Sequence, residues 1–226
     1  MKISFILVEP AVPENVGAAA RALKTMGFTE LILINPCDHL SDPARWLAHA
    51  SNDILENAKV ITSLKEAITK FDLTVGTSAK RRSVKNDYYP LPELPNLLKK
   101  KGNTIQSIAI VFGREESGLT NEELKLCDLV TTVPLKTSYP SLNLAQAVML
   151  YAYELSKLDD QEKDTEIHND DSFSALKEKV TELLGKAGFE QNSNIYPRFF
   201  ERMNFLGSDD IHLLHSFCNK MLQNEK

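Results

Sequence analysis

The sequence predicts an α/β protein in which a parallel sheet is covered by helices on both faces and is followed by a small helical segment. Short apolar runs rich in β-branched residues alternate with segments of helical periodicity through the first two thirds of the chain, which is the pattern of such a sheet. No strand-like run occurs after residue 173. With 226 residues, 42% of them hydrophobic and 25% charged, the chain can bury the core of one such domain and a small appendage.

Six apolar runs are the expected strands. They are ISFILV (3–8), ELILIN (30–35), AKVIT (58–62), DLTVGTS (72–78), SIAIVFG (107–113) and LVTTVPL (129–135). The first run ends at Glu9 and Pro10, too short for the apolar core of a signal peptide or for a helix that spans a bilayer. We therefore expect a cytoplasmic protein without a membrane partner.

The helices are expected between these strands and after them. The first covers residues 13–26 and is closed by Gly27 as its C-terminal cap. The longest covers residues 144–158. The others are expected at 42–50, 63–69, 94–100 and 120–127, and at about 174–187, 196–205 and 209–222 near the end of the chain.

The charge of the chain is unevenly distributed. The net charge of −5 argues at first against a nucleic-acid partner, since phosphates are bound by Lys and Arg. Residues 158–172, however, hold 7 acidic side chains and 1 basic one, whereas residues 1–157 hold 17 acidic and 18 basic ones. An acidic stretch without aromatic residues has little to bury. We therefore divide the chain into a domain over 1–157, a linker over 158–172 and a helical extension over 173–226.

Several kinds of site are disfavoured by the motifs that the sequence lacks. Neither G-x-G-x-x-G nor G-x-x-x-x-G-K-[ST] occurs, so binding of a dinucleotide or a nucleoside triphosphate has little support. No H-E-x-x-H or G-x-S-x-G occurs either, and the five His are scattered, so neither a metal site nor a Ser-His-Asp hydrolase site is expected. Cys37, Cys127 and Cys218 form no C-x-x-C pair and are expected to be reduced thiols.

Polar residues and glycines follow four of the expected strands. In an open parallel sheet, ligands bind beyond the carboxyl ends of the strands, so these segments belong to one rim. Each has an ordinary explanation when taken alone, as a helix cap, a turn glycine or a surface charge. The four segments are EPAVPENVGAAAR, GTSAKRRS, FGREESGL and VPLKTSYPSLN. Their common position on the rim indicates a binding site.

Three of these segments resemble the three motifs of the SpoU, or TrmH-type, RNA ribose methyltransferases of the SPOUT superfamily. The matching stretches are NVGAAARAL, FGREESGL and SLNLAQA, in the family's order over residues 3–155. KTMGF, VGTSA and GREESGLTNEEL, with a helical tail behind an acidic linker, are most similar to the TrmJ branch, which acts on nucleotide 32 of transfer RNA. The resemblance implies a C-terminal trefoil knot, S-adenosylmethionine bound in the knot, and a homodimer whose subunits jointly build each active site.

The resemblance also implies roles for individual residues. Arg21 would bind the target phosphate and stabilise developing negative charge, Asn15 would position substrate groups, and Glu115 would orient Arg21 or Asn15. Ser141 would contact substrate or cofactor. Asn143 would fix the loop and cap the helix from Leu144, with Gln146 at its third position. The residues implied for the cofactor are Thr77, Ser78, Ala79, Gly113, Val133, Ser141 and Leu142.

The segment AKRRSVK (79–85), which we call the basic segment, is expected to bind RNA through Lys80, Arg81, Arg82 and Lys85. The expected function is transfer of a methyl group to a ribose 2'-hydroxyl of transfer RNA at nucleotide 32. Three alternatives stay open at this point: a ribosomal RNA substrate, a noncatalytic RNA-binding module on the same fold, and an unrelated doubly wound nucleotide binder.

Overall fold

The structure is a computed structural model of the chain. It describes residues 1–85, 87–137, 142–158, 171–190, 193 and 195–223. Ser141 and most of the expected linker, residues 159–170, lie outside the described part.

A parallel sheet of seven strands forms the centre of the molecule. The strands are β1 (Lys2–Val8), β2 (Leu31–Ile34), β3 (Lys59–Ile61), β4 (Leu73–Thr77), β5 (Tyr89–Pro90), β6 (Ser107–Phe112) and β7 (Leu129–Thr132). Their order across the sheet is β3-β2-β1-β6-β4-β7-β5, and every pairing is parallel. All six expected strands are present. The two-residue strand β5 was not predicted, because it is short and contains a proline, which is tolerated at a sheet edge.

Both faces of the sheet are buried, as predicted. Successive side chains of a strand point to opposite faces, and β1 shows this directly. Phe5 and Leu7 belong to one hydrophobic core, which includes residues of α1 and α7, while Ile6 and Val8 belong to a second core on the other face. This is why central strands such as β1 and β6 consist mostly of apolar residues rather than alternating apolar and polar ones.

Ten helices surround the sheet in the described residues. They are α1 (Pro13–Thr25), α2 (Asp42–Ala48), α3 (Asn52–Glu56), α4 (Leu64–Ile68), α5 (Leu94–Lys101), α6 (Asn121–Leu126), α7 (Leu144–Leu155), α8 (Phe173–Lys186), α9 (Ile195–Met203) and α10 (Ser208–Gln223). Gly27 follows α1 with a φ of 83°, the left-handed conformation expected of a glycine that ends a helix. None of the described helices is long and apolar enough to cross a membrane.

The packing of α1 explains the glycine of the first motif. A Cβ atom on Gly17 would overlap the backbone carbonyl of Ala44 on α2, so only glycine lets the two helices approach this closely. Ala44 and Ala48 are fully buried at this contact. The position of α1, and with it the positions of Asn15 and Arg21, therefore depends on a residue that has no side chain.

The last three helices pack against the domain through polar and aromatic contacts. Lys177 on α8 forms an ion pair with Asp128, with Nζ 2.9 Å from Oδ1, and Asn204 donates a hydrogen bond to the carbonyl of Asp128 at 2.9 Å. The fully buried Lys101 at the end of α5 has its Nζ 3.8 Å from the ring centroid of Phe173. These contacts hold the end of the chain on the β4-β7-β5 side of the sheet.

Candidate functional site

The rim expected from the sequence is formed at the carboxyl ends of three neighbouring strands. In the sheet, β4 lies between β6 and β7, so Thr77, Gly113 and Val133, at or just after the strand ends, are brought to one edge. The backbone N–H of Ser78 donates to the carbonyl of Thr131 at 3.0 Å, which joins two of these segments directly. β4 and β7, which are separated along the chain by β5 and β6, thus end side by side at this edge of the sheet.

A chain of hydrogen bonds connects the three motifs. The Asn143 amide donates from Nδ2 to Oδ1 of Asn15 at 2.7 Å, and the Asn15 amide donates from Nδ2 to Oε1 of Glu115 at 3.0 Å. Glu115 also accepts the backbone N–H groups of Ala11 and Val12 at 3.1 and 3.2 Å. Side chains 100 and 128 residues apart are therefore held in one network.

The cap of α7 fixes the direction of this network. Oδ1 of Asn143 accepts the N–H of Ala145 at 2.8 Å, while Oε1 of Gln146 accepts the N–H of Asn143 at 3.1 Å. The expected capping box, with Gln146 at the third position, is confirmed. With its oxygen occupied by the helix, the Asn143 amide must present its nitrogen to Asn15. Asn15 must then present its own nitrogen to Glu115, since a flipped amide would place two like groups against each other.

The carboxylate of Glu115 is ionised in this setting. Partial burial by itself raises its pKa, but the hydrogen bonds from Asn15, Ala11 and Val12 outweigh burial and hold the pKa below its ordinary value. The sequence left either Arg21 or Asn15 as the partner of Glu115, and in the structure Glu115 is hydrogen-bonded to Asn15. No hydrogen bond joins Glu115 to Arg21 in the described residues.

Arg21 projects away from the Asn15–Glu115 pair. It lies six residues after Asn15 on α1, which corresponds to about 9 Å along the helix and about 120° around it. Its side chain is exposed, and its guanidinium forms no hydrogen bond or ion pair within the part of the chain described. Its role in binding a phosphate stays a prediction.

The loop after β6 is shaped by Gly113 and Arg114. A Cβ atom on Gly113 would overlap the backbone of Gly118 and Leu119, so the glycine is required because the loop folds back on its own start. The Arg114 guanidinium donates to Glu9 at 2.8 Å and to both oxygens of Glu123 at 3.0 and 3.1 Å. Sequence reasoning did not identify Arg114 as a residue that orders this loop, although its position between Gly113 and Glu115 was a signal.

The basic segment is hydrogen-bonded to the loop after β6. The Arg82 guanidinium donates to the carbonyls of Leu119 and Ser117, both at 2.9 Å, and the hydroxyl of Tyr88 accepts the N–H of Arg82 at 2.9 Å. Arg82 therefore has a structural role that the sequence did not indicate. Lys80 and Arg81 are exposed and Lys85 is half-buried. RNA binding by these four residues stays a prediction.

The remaining residues expected at the cofactor are uncharged. Thr77, Ser78, Val133 and Leu142 are half-buried and Ala79 is exposed, while Ser141 is not described. The Ser78 hydroxyl donates to the carbonyl of Lys80 at 2.7 Å, so it orders the turn into the basic segment. Within the described residues, no group of His, Cys, Asp and Glu could hold a metal ion.

Comparison with protein families gives two matches. Residues 2–153 match the SpoU rRNA Methylase family, and residues 170–224 match the C-terminal domain of the tRNA/rRNA methyltransferase LasT. The boundary between the two matches falls at the acidic stretch.

Comparison with individual proteins gives relatives over the whole chain and over its first part. The chain is 42% identical to the uncharacterized tRNA/rRNA methyltransferase LasT of Escherichia coli K12 over 226 residues, covering 99% of both chains. It is 40% identical to the tRNA (cytidine/uridine-2'-O-)-methyltransferase TrmJ of Photorhabdus laumondii over 155 residues, which are 68% of this chain and 63% of that protein.

Solved structures agree with these relatives in fold. A probable methylase family protein from Haemophilus influenzae Rd KW20 superposes with a TM-score of 0.65 at 32% identity, covering 99% of this chain and 98% of that one. TrmJ from Z. mobilis ZM4 gives 0.67 at 26% identity, covering 98% and 99%. The family match over most of the chain and the relatives at about 40% identity, together with the three connected motifs, show that this protein belongs to the SpoU RNA methylase family.

Proposed function

We propose that this protein transfers the methyl group of S-adenosylmethionine to the 2'-hydroxyl of a ribose in transfer RNA, at nucleotide 32 of the anticodon loop. The observation that carries the proposal is the Glu115–Asn15–Asn143 network, which joins one polar residue from each motif at the rim of the sheet. Relatives at about 40% identity carry the name tRNA (cytidine/uridine-2'-O-)-methyltransferase, which supports the reaction and the substrate class. Nucleotide 32 follows from the resemblance to the TrmJ branch.

The residues at the strand ends fit a cofactor without phosphate groups. No glycine-rich phosphate-binding motif occurs in the sequence. The described residues expected at the cofactor, at or after the ends of β4, β6 and β7, provide main-chain groups and uncharged side chains: Thr77, Ser78, Ala79, Gly113, Val133 and Leu142. Such groups read an adenine edge and pack on its faces. S-adenosylmethionine supplies the methyl group on a sulfonium sulfur. Ser141 belongs to this set by its motif alone.

The chemistry required of the protein is orientation and charge stabilisation. A sugar hydroxyl is a poor nucleophile near neutral pH, so it must lose its proton as the oxygen attacks. Arg21 is the residue we assign to the phosphate of the target nucleotide, where a fixed positive charge favours the developing negative oxygen. Asn15 keeps one amide hydrogen beyond its bond to Glu115 and can donate it to the substrate.

The direction of Arg21 supports a homodimer with shared sites. Because Arg21 points about 120° away from Asn15 around α1, it would meet the Asn15 network of a second subunit more readily than its own. Apolar side chains near α1 and α7 are also left open to solvent: Tyr153 is 51% exposed, Leu135 43% and Val12 38%. Tyr153 lies on α7, a helix that is apolar nearly all round, and exposed apolar side chains of this kind fit burial against a second copy.

We further propose that the end of the domain forms a trefoil knot. The strand order supports this, because β7 is inserted between β4 and β5, which are consecutive in the chain. The chain through β7 into α7 would then pass inside the connection between β4 and β5. The proposed domain limits are 1–157, 158–172 and 173–226; the first family match ends at residue 153, before the linker, and the second starts at residue 170, near its end. A cytoplasmic location fits three unpaired cysteines, Cys37, Cys127 and Cys218.

The proposal is tested by combining a binding titration with a methylation assay. Calorimetry with S-adenosylhomocysteine should give a saturable heat, and the protein should transfer labelled methyl groups to bulk transfer RNA. Arg21→Ala should lower transfer strongly while the affinity for S-adenosylhomocysteine changes little, since Arg21 lies away from the strand ends. Full activity of this variant would refute the role of Arg21.

The position of the methyl group is read in cells. Mapping 2'-O-methyl groups in RNA from cells that lack the gene should show loss at nucleotide 32 of transfer RNA. A loss in ribosomal RNA instead would favour the alternative substrate, which the names of the family and of the LasT relative also contain. Binding of RNA without any transfer would favour the noncatalytic module.

A further inference from the structure

The end of the chain contacts the segment that we expect to bind RNA. On α9, the Arg198 guanidinium donates from Nη1 to Oδ2 of Asp87 at 2.8 Å. Asp87 lies two residues after the basic segment and directly before Tyr88. Arg202, one turn later on α9, is 3.6 Å from the same carboxylate oxygen. Both arginines of α9 thus lie next to the same acidic residue of the domain.

Asp87 is coupled to the basic segment through its neighbour. The Tyr88 hydroxyl accepts the N–H of Arg82 at 2.9 Å and donates to the carbonyl of Arg82 at 3.2 Å, which closes the segment into a compact turn. Arg82 in turn donates to the carbonyls of Ser117 and Leu119 in the loop that carries Glu115. A continuous series of contacts therefore runs from α9 to the loop of the second motif.

Arg198 is itself held in a fixed direction. Its Nη1 donates to Oε2 of Glu201 at 2.9 Å, three residues later on α9, and Glu201 is 5% exposed. The end of α9 is anchored on the domain, because Asn204 bonds to the carbonyl of Asp128 and the ring of Phe205 lies 5.4 Å from that of Tyr89. A guanidinium fixed in this way can orient Asp87.

The ion pair contributes little to the stability of the fold. The side chain of Arg198 is 39% exposed and that of Asp87 29%, and ion pairs this open to water add little to the stability of a fold. The folded chain therefore does not depend on this contact. What the contact restricts is the position of the basic segment, which directly follows Thr77 and Ser78 and carries the exposed cations Lys80 and Arg81.

We propose that Arg198 is a positioning residue for RNA: through Asp87 and Tyr88 it holds the basic segment in the orientation in which Lys80 and Arg81 meet the phosphates. The C-terminal helices then act on the reaction by ordering an RNA-binding element of the first domain. This inference rests on the proposed function.

The test compares Arg198→Ala, Asp87→Asn and the double variant with two matched controls. Lys220→Ala removes an exposed cation and Asp210→Asn an exposed carboxylate, both on α10. We expect Arg198→Ala and Asp87→Asn each to raise KM for bulk transfer RNA about three- to fivefold, with kcat and the affinity for S-adenosylhomocysteine unchanged within the scatter of the two controls. The double variant should be no worse than either single one, and Arg198→Lys should recover part of the loss.

Asp87→Asn decides between positioning and direct binding. If Arg198 only attracted RNA, removing a nearby negative charge would lower KM, whereas loss of positioning raises it. A lowered KM for Asp87→Asn, losses that multiply in the double variant, or KM values equal to those of the controls would each overturn the inference.

Hydrogen exchange separates this inference from the proposed function. Amides of residues 79–85 should exchange faster in Arg198→Ala and Asp87→Asn than in the controls, whether or not the protein transfers methyl groups. Unchanged exchange would refute the positioning role even in an active enzyme. If the two variants exchange faster but the unmodified protein transfers no methyl group, the proposed function is refuted, while the conclusion that Arg198 orders the basic segment stands.

Discussion

Replacing Glu115 with glutamine tests the network that joins the three motifs. Glu115 accepts hydrogen bonds from Ala11, Val12 and Asn15. Glutamine keeps one acceptor oxygen but places an NH₂ group against one of these donors. A hydrogen bond to a charged group contributes about 1.5–3 kcal/mol, and two of the three are open to water, so we expect a loss of about 2 kcal/mol in the free energy of unfolding. For a chain of this size that corresponds to a melting temperature lower by about 4–8 °C.

The effect on methyl transfer should exceed the effect on stability. A misplaced Asn15 amide would also release Asn143, and displacement of a positioning group by about 1 Å lowers a rate by up to about a hundredfold. Glu116→Gln is the matched control, because Glu116 is the exposed neighbour in the same loop. Melting by calorimetry and single-turnover methyl transfer measure the two effects. A Glu115→Gln protein that melts and reacts like Glu116→Gln would show that the network has no such role.

The lowered pKa of Glu115 predicts that its contribution to the free energy of unfolding depends on pH. Burial raises the pKa of Glu115, but its hydrogen bonds lower it further, so the pKa is lower in the folded protein than in the unfolded chain. The ionised carboxylate therefore stabilises the fold above the unfolded pKa of about 4.3, and this stabilisation is lost as pH falls through the folded pKa. The difference in stability between the unmodified protein and Glu115→Gln should therefore narrow below that pH. A difference that stays constant from neutral to acidic pH would contradict the assignment.

Three other substitutions have defined outcomes. Asn143→Asp keeps an acceptor for the N–H of Ala145 but loses the donor to Asn15. The free energy of unfolding should therefore change by no more than about 1 kcal/mol, while methyl transfer falls. Methyl transfer equal to that of the unmodified protein would refute the role of the Asn143–Asn15 hydrogen bond. Gly113→Ala should destabilise the protein by about 1–3 kcal/mol, because its Cβ would overlap the loop backbone. Gly185→Ala on α8 is the control: its Cβ would meet open space, so the substitution should be neutral or stabilising. Thermal melts of the two variants measure the difference. Burial lowers the pKa of Lys101 to about 8; Asp128 opposes this shift and Lys177 adds to it. The unfolded chain, with a Lys pKa near 10.4, therefore binds more protons than the folded protein between about pH 8 and 10.4. Stability should therefore rise relative to Lys101→Met as pH increases from about 8 to 10, and denaturant titrations showing a flat difference would contradict this.

Local pattern was sufficient for most of the secondary structure. Strands such as residues 3–8 and 107–113 could be predicted because burial on both faces makes a strand apolar throughout, and the cap of α7 could be predicted because Asn143 and Gln146 satisfy groups only a few residues away. The edge strand at Tyr89–Pro90 was missed because two residues carry no periodicity.

By itself, the sequence determined the α/β class, the three motifs and the polar residues that belong to them, since these depend on periodicity and on residue type. Only the tertiary structure decided that β4 lies between β6 and β7, that Glu115 bonds to Asn15 and not to Arg21, and that Arg82 and Arg198 have partners inside the protein. The physical reason is the distance along the chain. The Asn143–Asn15 and Arg198–Asp87 contacts join residues 128 and 111 positions apart, and such pairs form only when the packed core brings their backbones together.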